Sequence, residues 1–274
     1  MKIVIPMAGT GNRFVEKGYT DPKPLIKVDG KRIIEYILDM FNDDDEFVFI
    51  CNDVHLNTTN MREVLLSLKP KAKIVSMPQH KLGPVHTVQA VYDLIKDDEE
   101  VIISYCDNPH LWDRKDFHKK MKKGKFDGCV LTHTGFHPHT LAHTKMAFVK
   151  GKNNVLEEIK EKESYTDKPI NEHASTGVYY FRKGSYIKKY FDRAVERNIQ
   201  YKGEYYVTLV YNLLVEDGLK IGYYDTPYVT VFGTPEEVQN FESWAKILNG
   251  GQAKHPLHAA ACFEYWGEYH KAKL

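Results

Sequence analysis

Gly9-Thr10-Gly11-Asn12-Arg13 is the first run in the sequence with chemistry in it. Glycines let a backbone come close to phosphate oxygens and turn its N–H groups toward them. Ten residues after Arg13 stands Lys23, held between Pro22 and Pro24. An arginine and a lysine framing such a loop suit a triphosphate, whose charge must be neutralised as it breaks. The same residues would also make an ordinary strand-to-helix turn. The loop is not a Walker sequence, because no Gly-Lys-Ser/Thr follows, and it lacks the third glycine of the dinucleotide fingerprint. Asp107 is the second candidate. It comes directly after the apolar run 101–106. A carboxylate at a strand end is a natural Mg2+ ligand, and its other reading is an Asx turn before Pro109.

Elements must hold these groups in place. The run 2–7 reads as a strand that feeds the glycine loop, and 47–51, 73–77 and 101–105 read as further buried strands. Apolar residues spaced for one face predict helices over 32–41, 60–68 and 83–95. This alternation to about residue 108 predicts an α/β fold with a mostly parallel central sheet flanked by helices. Right-handed crossovers gather the C-terminal strand ends on one edge, where ligands bind in such sheets. Both the glycine loop and Asp107 fall there. The second half is richer in strands, at 128–132, 145–149, 156–160, 177–181 and 221–224, with helices at 185–197, 207–217 and 235–248. No linker or repeat interrupts it. We therefore expect one domain over 1–248, with halves at 1–110 and 111–248, which the resemblance given below makes nucleotide-binding and acceptor-binding, and a tail over 249–274.

Composition narrows the classes. The chain has 274 residues, 42% hydrophobic and 27% charged, which fits an ordinary globular protein and argues against disorder. Thirty-eight Lys and Arg against thirty-seven Asp and Glu leave a net charge of +1, which excludes a strongly basic nucleic-acid binder. The longest apolar runs fall far short of the roughly 20 residues of a membrane span. The N-terminal run is broken by Pro6 and has no signal-peptide pattern. Cys51, Cys106, Cys129 and Cys262 form no CxxC pair, so they read as free thiols in a reducing cytoplasm.

Taken together, the motifs resemble the sugar-nucleotide pyrophosphorylases, nucleotidyltransferases with a glycosyltransferase-A-like, Rossmann-related fold. The matching residues are Met7 to Phe14, Pro22-Lys23-Pro24-Leu25, Asp107-Asn108, Glu161-Lys162, Ala174 to Tyr179 and Gly233-Thr234-Pro235-Glu236. They cover nearly the whole chain to about residue 248. The chain looks most like the small single-domain members from capsule and lipopolysaccharide gene sets. The resemblance implies roles. Ala8, Gly9, Thr10, Gly11 and Asn12 would line the nucleotide loop. Arg13 would hold the triphosphate and Lys23 would neutralise the α-phosphate. Gln79 and Gly83 would read the base, and Asp107 would hold Mg2+. Glu161, Lys162, Asn171, Gly177 and Glu204 would meet the acceptor.

One position departs from that pattern. The family places an aspartate, a second metal ligand, two residues before the Gly-Thr-Pro turn, and Val231 stands there. Either Asp107 holds the metal with phosphates and water, or Asp225 or Glu204 substitutes.

The remaining clusters are less pointed. His133, His137, His139 and His143 crowd one segment. They read as a surface loop or a polar loop facing the substrate, and a metal site is disfavoured because the 137/139 pair straddles a proline. Tyr179, Tyr180, Phe181, Tyr186, Tyr190, Tyr201, Tyr205 and Tyr206 read mostly as packing. The lysines of 115–125 read as a solvated helix face.

The expected activity joins a nucleoside triphosphate to a phosphorylated sugar or polyol with release of pyrophosphate, Mg2+-dependent and cytoplasmic. CTP is the slight favourite as donor, with UTP and dTTP open. The expected partners are those two substrates, with no nucleic acid and no membrane, and a homo-oligomer is left open. The alternatives are a glycosyltransferase of the same fold, against which the missing Asp-x-Asp argues, and a non-catalytic nucleotide-binding homologue.

Overall fold

The first strand, β1 (Lys2–Met7), buries every residue but Pro6. A strand buried on both faces belongs in the middle of a sheet covered by helices. The computed structural model of the chain describes residues 1–141 and 146–248 and shows that arrangement. Strands β2 (Glu46–Asn52), β3 (Lys73–Met77) and β4 (Val101–Ser104) run parallel to β1, in the order β3-β2-β1-β4. The second half supplies β5 (Gly128–His133), β6 (Ala147–Lys152), β7 (Val155–Glu161), β8 (His173–Phe181) and β9 (Ile221–Asp225). They extend the same sheet to nine strands, β3-β2-β1-β4-β8-β5-β9-β7-β6. β8 is antiparallel to β4 and β5, β9 is parallel to β5, and β7 and β6 are antiparallel at the edge. The α/β fold is thus built on a mixed sheet: parallel in its first half, largely antiparallel in its strand-rich second half.

Side-chain alternation along β1 sorts the core into two layers. Ile3 and Ile5 join one buried cluster and Val4 the other, as the two-residue period of a strand requires. Helices α1 (Asn12–Val15) and α2 (Ile33–Leu38) follow β1, and α3 (Asp53–Thr58) and α4 (Met61–Leu68) follow β2. Helix α5 (Pro84–Gln89) precedes β4, and α6 (Arg114–Gly124) precedes β5. Helices α7 (Gly184–Glu196), α8 (Val207–Glu216) and α9 (Pro235–Leu248) complete the set. Ile34, Ile37, Met61, Leu65, Phe117 and Met121 of α2, α4 and α6 cover one face. Val85, Val88, Phe191, Val210 and Leu214 of α5, α7 and α8 cover the other. The lysines of α6 face outward while Phe117 and Met121 are buried, as its solvated face requires.

Three elements differ from the sequence reading. The helix expected over 83–95 is α5 followed by a separate 3-10 turn, Tyr92–Leu94. That turn presents the Leu94 carbonyl to the buried Lys2 ammonium. Helix α3 had no signal, because it buries none of its residues; Asn52, whose side chain accepts from the His55 N–H, starts it. Strand β8 begins at His173, four residues before the expected start. Gly177, with φ +80°, sits in a bulge between Ser175 and Tyr179 that interrupts the alternation. His143, Cys262 and the 249–274 tail lie outside the described residues.

Candidate active site

The C-terminal ends of β1 and β4 open into a cleft, as expected for the ligand edge of an α/β sheet. Its larger chamber, about 380 Å³, is lined by Gly9, Thr10, Gly11, Asn12, Arg13, Lys23, His80, Lys81, Cys106 and Glu204, among others. Ala8 and Gly83 line the adjoining recess, together with Pro84, Thr87 and Asp107. A second chamber of about 240 Å³ holds Asp107, Asn108, Glu161, Lys162, Gly177, Tyr206, Gly233 and Glu237. Arg13 and Gly233 belong to both chambers, so the two are continuous.

Local structure explains how the loop is held. Gly11 takes the left-handed conformation (φ 66°, ψ 21°) that starts α1, a cost glycine avoids. Phe14, buried on α1, packs with Ile26, Val28, Ile33, Phe232 and Val238 in a small separate core. This cluster clamps the glycine loop, the Pro-Lys-Pro segment and the start of α9 against one another. Asn52 adds a polar tie, with its Nδ2 donating to the Gly9 carbonyl at 3.1 Å. Arg13 is exposed in the cleft mouth and has no hydrogen bond or ion pair among the described residues. Its guanidinium is available to an anionic ligand.

Lys23 heads a 3-10 turn, Lys23–Leu25, whose rigid Pro22 and Pro24 aim it inward. Its Nζ donates to Asp107 Oδ2 at 2.5 Å. Burial by itself would lower the Lys23 pKa, but the charges around it, Asp107 foremost, outweigh burial and hold it above its ordinary value. Asp107 Oδ1 is buried and has no hydrogen-bond partner. A carboxylate oxygen left unpaired inside a cleft is costly unless something positive comes to it. Asn108 Oδ1 is in the same state. Burial pushes the thiol of Cys106, between the two strand-end groups, up to about 12, and Cys51 likewise, so both are inert at neutral pH.

In the second chamber Glu161 is 8% exposed. Burial raises its pKa against the opposing effects of the Thr208 hydroxyl, which donates to Oε2 at 2.6 Å, and of the Lys162 charge. Lys162 adopts φ 58°, and its Nζ donates to the Tyr206 hydroxyl at 2.5 Å. Gly177 leaves room here for its neighbours. A Cβ at this position would lie 3.0 Å from Asn108 Nδ2 and 3.1 Å from a Tyr105 ring carbon.

Several sequence-derived positions fall elsewhere. Gln79 is exposed past the end of β3 and lines neither chamber. The inward residue is the next one, His80. The Leu82 N–H donates to its Nδ1 at 3.1 Å and its Nε2 meets the Thr87 hydroxyl at 3.0 Å. Asn171 ends a 3-10 turn, Pro169–Asn171, in a loop held by its own contacts: Glu172 accepts from the Tyr165 and Thr166 N–H groups. It too is outside both chambers. Glu204 lines the glycine-loop chamber with His80 and Lys81, not the chamber of Glu161. A short bridge between Tyr201 and Glu204 and the pairing of Tyr205 with the 82–85 segment place it there.

Of the two substitutes for the missing aspartate at Val231, Asp225 is engaged elsewhere: it accepts from Thr132 Oγ1 and from His173 Nδ1 at the end of β9. Glu204 lines the adjoining recess together with Asp107. A further carboxylate, Glu237, shares the second chamber with Asp107, and the sequence reading missed it. Its signal was the capping pattern Thr234-x-x-Glu237. Glu237 Oε2 accepts from the Thr234 N–H at 2.7 Å and Thr234 Oγ1 accepts from the Glu237 N–H at 3.2 Å.

His133, His137 and His139 are buried, not part of a surface loop, with ring centroids 4.5 to 5.8 Å apart. The 138–141 turn that carries His139 packs beneath α9, which is what removes these rings from solvent. Among the described residues, no group of three or more His, Cys, Asp or Glu could hold a metal ion by itself.

Residues 3–165 match the family model of the MobA-like NTP transferase domain. The chain belongs to this family. The MobA-like NTP transferase match spans the glycine loop, Lys23, Asp107 and Glu161. The chain is 24% identical over 226 residues to the bifunctional protein GlmU of Clostridioides difficile strain 630, covering 81% of this chain and 46% of that protein. It spans about half the length of the curated relatives it matches. Solved structures with the same fold include the nucleoside-diphosphate-sugar pyrophosphorylase from Vibrio cholerae RC9, at 23% identity and TM-score 0.70, covering 88% of this chain and 99% of that one. Another is the inositol-1-phosphate CTP transferase from T. maritima, at 16% identity and TM-score 0.64, covering 92% and 97%. Among the described residues of this MobA-like NTP transferase, no helix is long and apolar enough to cross a membrane.

Proposed function

We propose that the chain is a nucleotidyltransferase that transfers a nucleotidyl group to a phosphorylated sugar or polyol. The observation that carries this reading is the continuous cleft. It runs from the glycine loop, Arg13 and Lys23, past Asp107, to a chamber walled by Glu161 and Lys162. A phosphate oxygen of the acceptor attacks the α-phosphorus in line. The bond to the bridging oxygen breaks, and pyrophosphate leaves with the electron pair. The acceptor phosphate is largely dianionic at neutral pH, its second pKa being about 6, so no general base is required. Arg13 and Lys23 hold the triphosphate and stabilise the charge that develops on it. Lys162 takes the acceptor phosphate and Glu161 accepts from its hydroxyls.

Mg2+ fits the residues present: the buried, unpaired Asp107 Oδ1 is a hard oxygen donor of the kind this ion takes. When bound it would screen the triphosphate charge. We favour CTP as donor on the sequence resemblance; the inositol-1-phosphate CTP transferase of T. maritima shares the fold. A cytoplasmic role in supplying capsule or lipopolysaccharide precursors rests on the sequence resemblance alone.

The test is a panel of nucleoside triphosphates crossed with sugar and polyol phosphates, read by pyrophosphate release. Release that needs both substrates and Mg2+ supports the reading. Tight nucleotide binding with no release across the panel would make the chain a binding homologue. Consumption of nucleotide sugars without pyrophosphate would make it a glycosyltransferase. Once the acceptor is known, Glu161→Ala is expected to raise its KM about 10–100-fold, the cost of a hydrogen bond to a charged group at roughly 1.5–3 kcal/mol. The KM for the triphosphate should change far less, and equal changes in both would refute the assignment.

A further inference from the structure

Glu237 stands where a second metal-binding carboxylate is needed, though it is not at the position where the family puts one. Backbone pairing brings it there. Tyr228–Val229 pairs with His110–Leu111, and the Phe232 N–H donates to the Asp107 carbonyl at 2.7 Å. The Gly233 turn is thereby laid against Asp107, and α9 starts directly after it. A Cβ on Gly233 would lie 3.0 Å from Glu237 Oε2 and 3.8 Å from Asp107 Oδ2. The two carboxylates therefore flank one small volume, which the absence of a side chain at 233 keeps open. Val231, where the resembling family has its aspartate, lines the same chamber and supplies no oxygen.

Glu237 is 3% exposed. A buried carboxylate at a helix start is stabilised by the cap it makes, but a cap alone does not require burial beside a second carboxylate. Two carboxylates on one small volume repel, and a cation between or beside them offsets that. Lys23 supplies one positive charge, bonded to Asp107 Oδ2. Asp107 Oδ1 remains unpaired.

We infer that Glu237 and Asp107 together hold the divalent cation of this site, Glu237 replacing from the first turn of α9 the carboxylate lost at Val231. This rests on the proposed nucleotidyltransferase reading and names how the site is completed in this chain.

Glu237→Gln removes the charge and keeps an oxygen for the Thr234 N–H, since glutamine also serves in a capping box. The probe is Mn2+, followed by loss of its free electron paramagnetic resonance signal in the presence of a non-hydrolysable triphosphate analogue. Thermal melts on the same samples report folding. Glu237→Gln is expected to weaken Mn2+ binding at least tenfold, the lower end of the loss seen even for outer-sphere partners. The melting temperature should be unchanged. The double variant Val231→Asp/Glu237→Gln is expected to recover Mn2+ affinity, which a purely structural role for Glu237 would not allow. If Asp107→Asn weakens Mn2+ and Glu237→Gln does not, the inference fails while the wider reading stands. If neither does, the metal assignment of the proposed function fails with it. Loss of fold in Glu237→Gln would show that the cap is its main work and would overturn the inference.

Discussion

Lys23→Ala will lower kcat by about 10²–10³-fold, or ~3–4 kcal/mol, the effect of removing one preorganised charge from a developing oxyanion. The structure gives reasons for so large a loss. The Lys23 side chain is 17% exposed, so water does little to screen its charge. Its backbone is fixed by flanking prolines in a 3-10 turn anchored by buried Leu25. Among the described residues, the other lysines near Asp107 are Lys162, which is bonded to Tyr206, and Lys81 in the adjoining recess. The raised pKa keeps the charge in place through the neutral range. The fold should survive, because Asp107 opens onto a cleft that water can enter. The check is single-turnover kinetics beside a thermal melt. An unchanged kcat would remove Lys23 from the chemistry, and loss of folding would make its pair with Asp107 a structural device.

Gly83→Ala should be strongly destabilising, because it combines a positive φ with a backbone clash. Gly83 has φ 92° and ψ 174°, a region essentially open to glycine alone, and other residues pay about 1–3 kcal/mol there. A Cβ would sit 2.7 Å from both the nitrogen and the oxygen of Tyr205. Tyr205 cannot retreat cheaply. Its N–H donates to the Leu82 carbonyl at 2.9 Å, and its carbonyl accepts from the Val85 N–H at 3.1 Å. Breaking both bonds adds about 0.5–1.5 kcal/mol each. The expected total is ~3 kcal/mol or more, a fall in Tm of about 10 °C for a domain of this size. Because Gly83, His80 and Glu204 line the recess beside the glycine loop, where the proposed function puts the nucleotide, the KM for the triphosphate should rise more than that for the acceptor. A Tm close to that of the unaltered protein would show that the two segments are not locked together.

These two positions differ in how readable they were. Lys23 announced itself, since prolines on both sides of a lysine fix its geometry locally. Gly83 was singled out by resemblance, but the reason only glycine fits lies in Tyr205, more than a hundred residues away. Gln79 and His80 show the limit more sharply. Adjacent loop residues point to opposite sides, and no local pattern says which one turns inward. Here the hydrogen bonds of the His80 ring to Leu82 and Thr87 decide it.

The sequence by itself determined the strands of the parallel half and the helices with a buried face, the glycine loop, and the cationic and acidic residues at strand ends. All of these depend on short-range periodicity or local backbone restriction, which travel with the chain. Only the tertiary structure decided that Glu237 comes to Asp107, that Asp225 and Asn171 stay away, that Glu204 lines the glycine-loop chamber, and that the three histidines are buried. Most of this follows from pairing between segments far apart in the chain, such as Tyr228–Val229 with His110–Leu111. Long-range contacts of that kind leave no trace in spacing or composition.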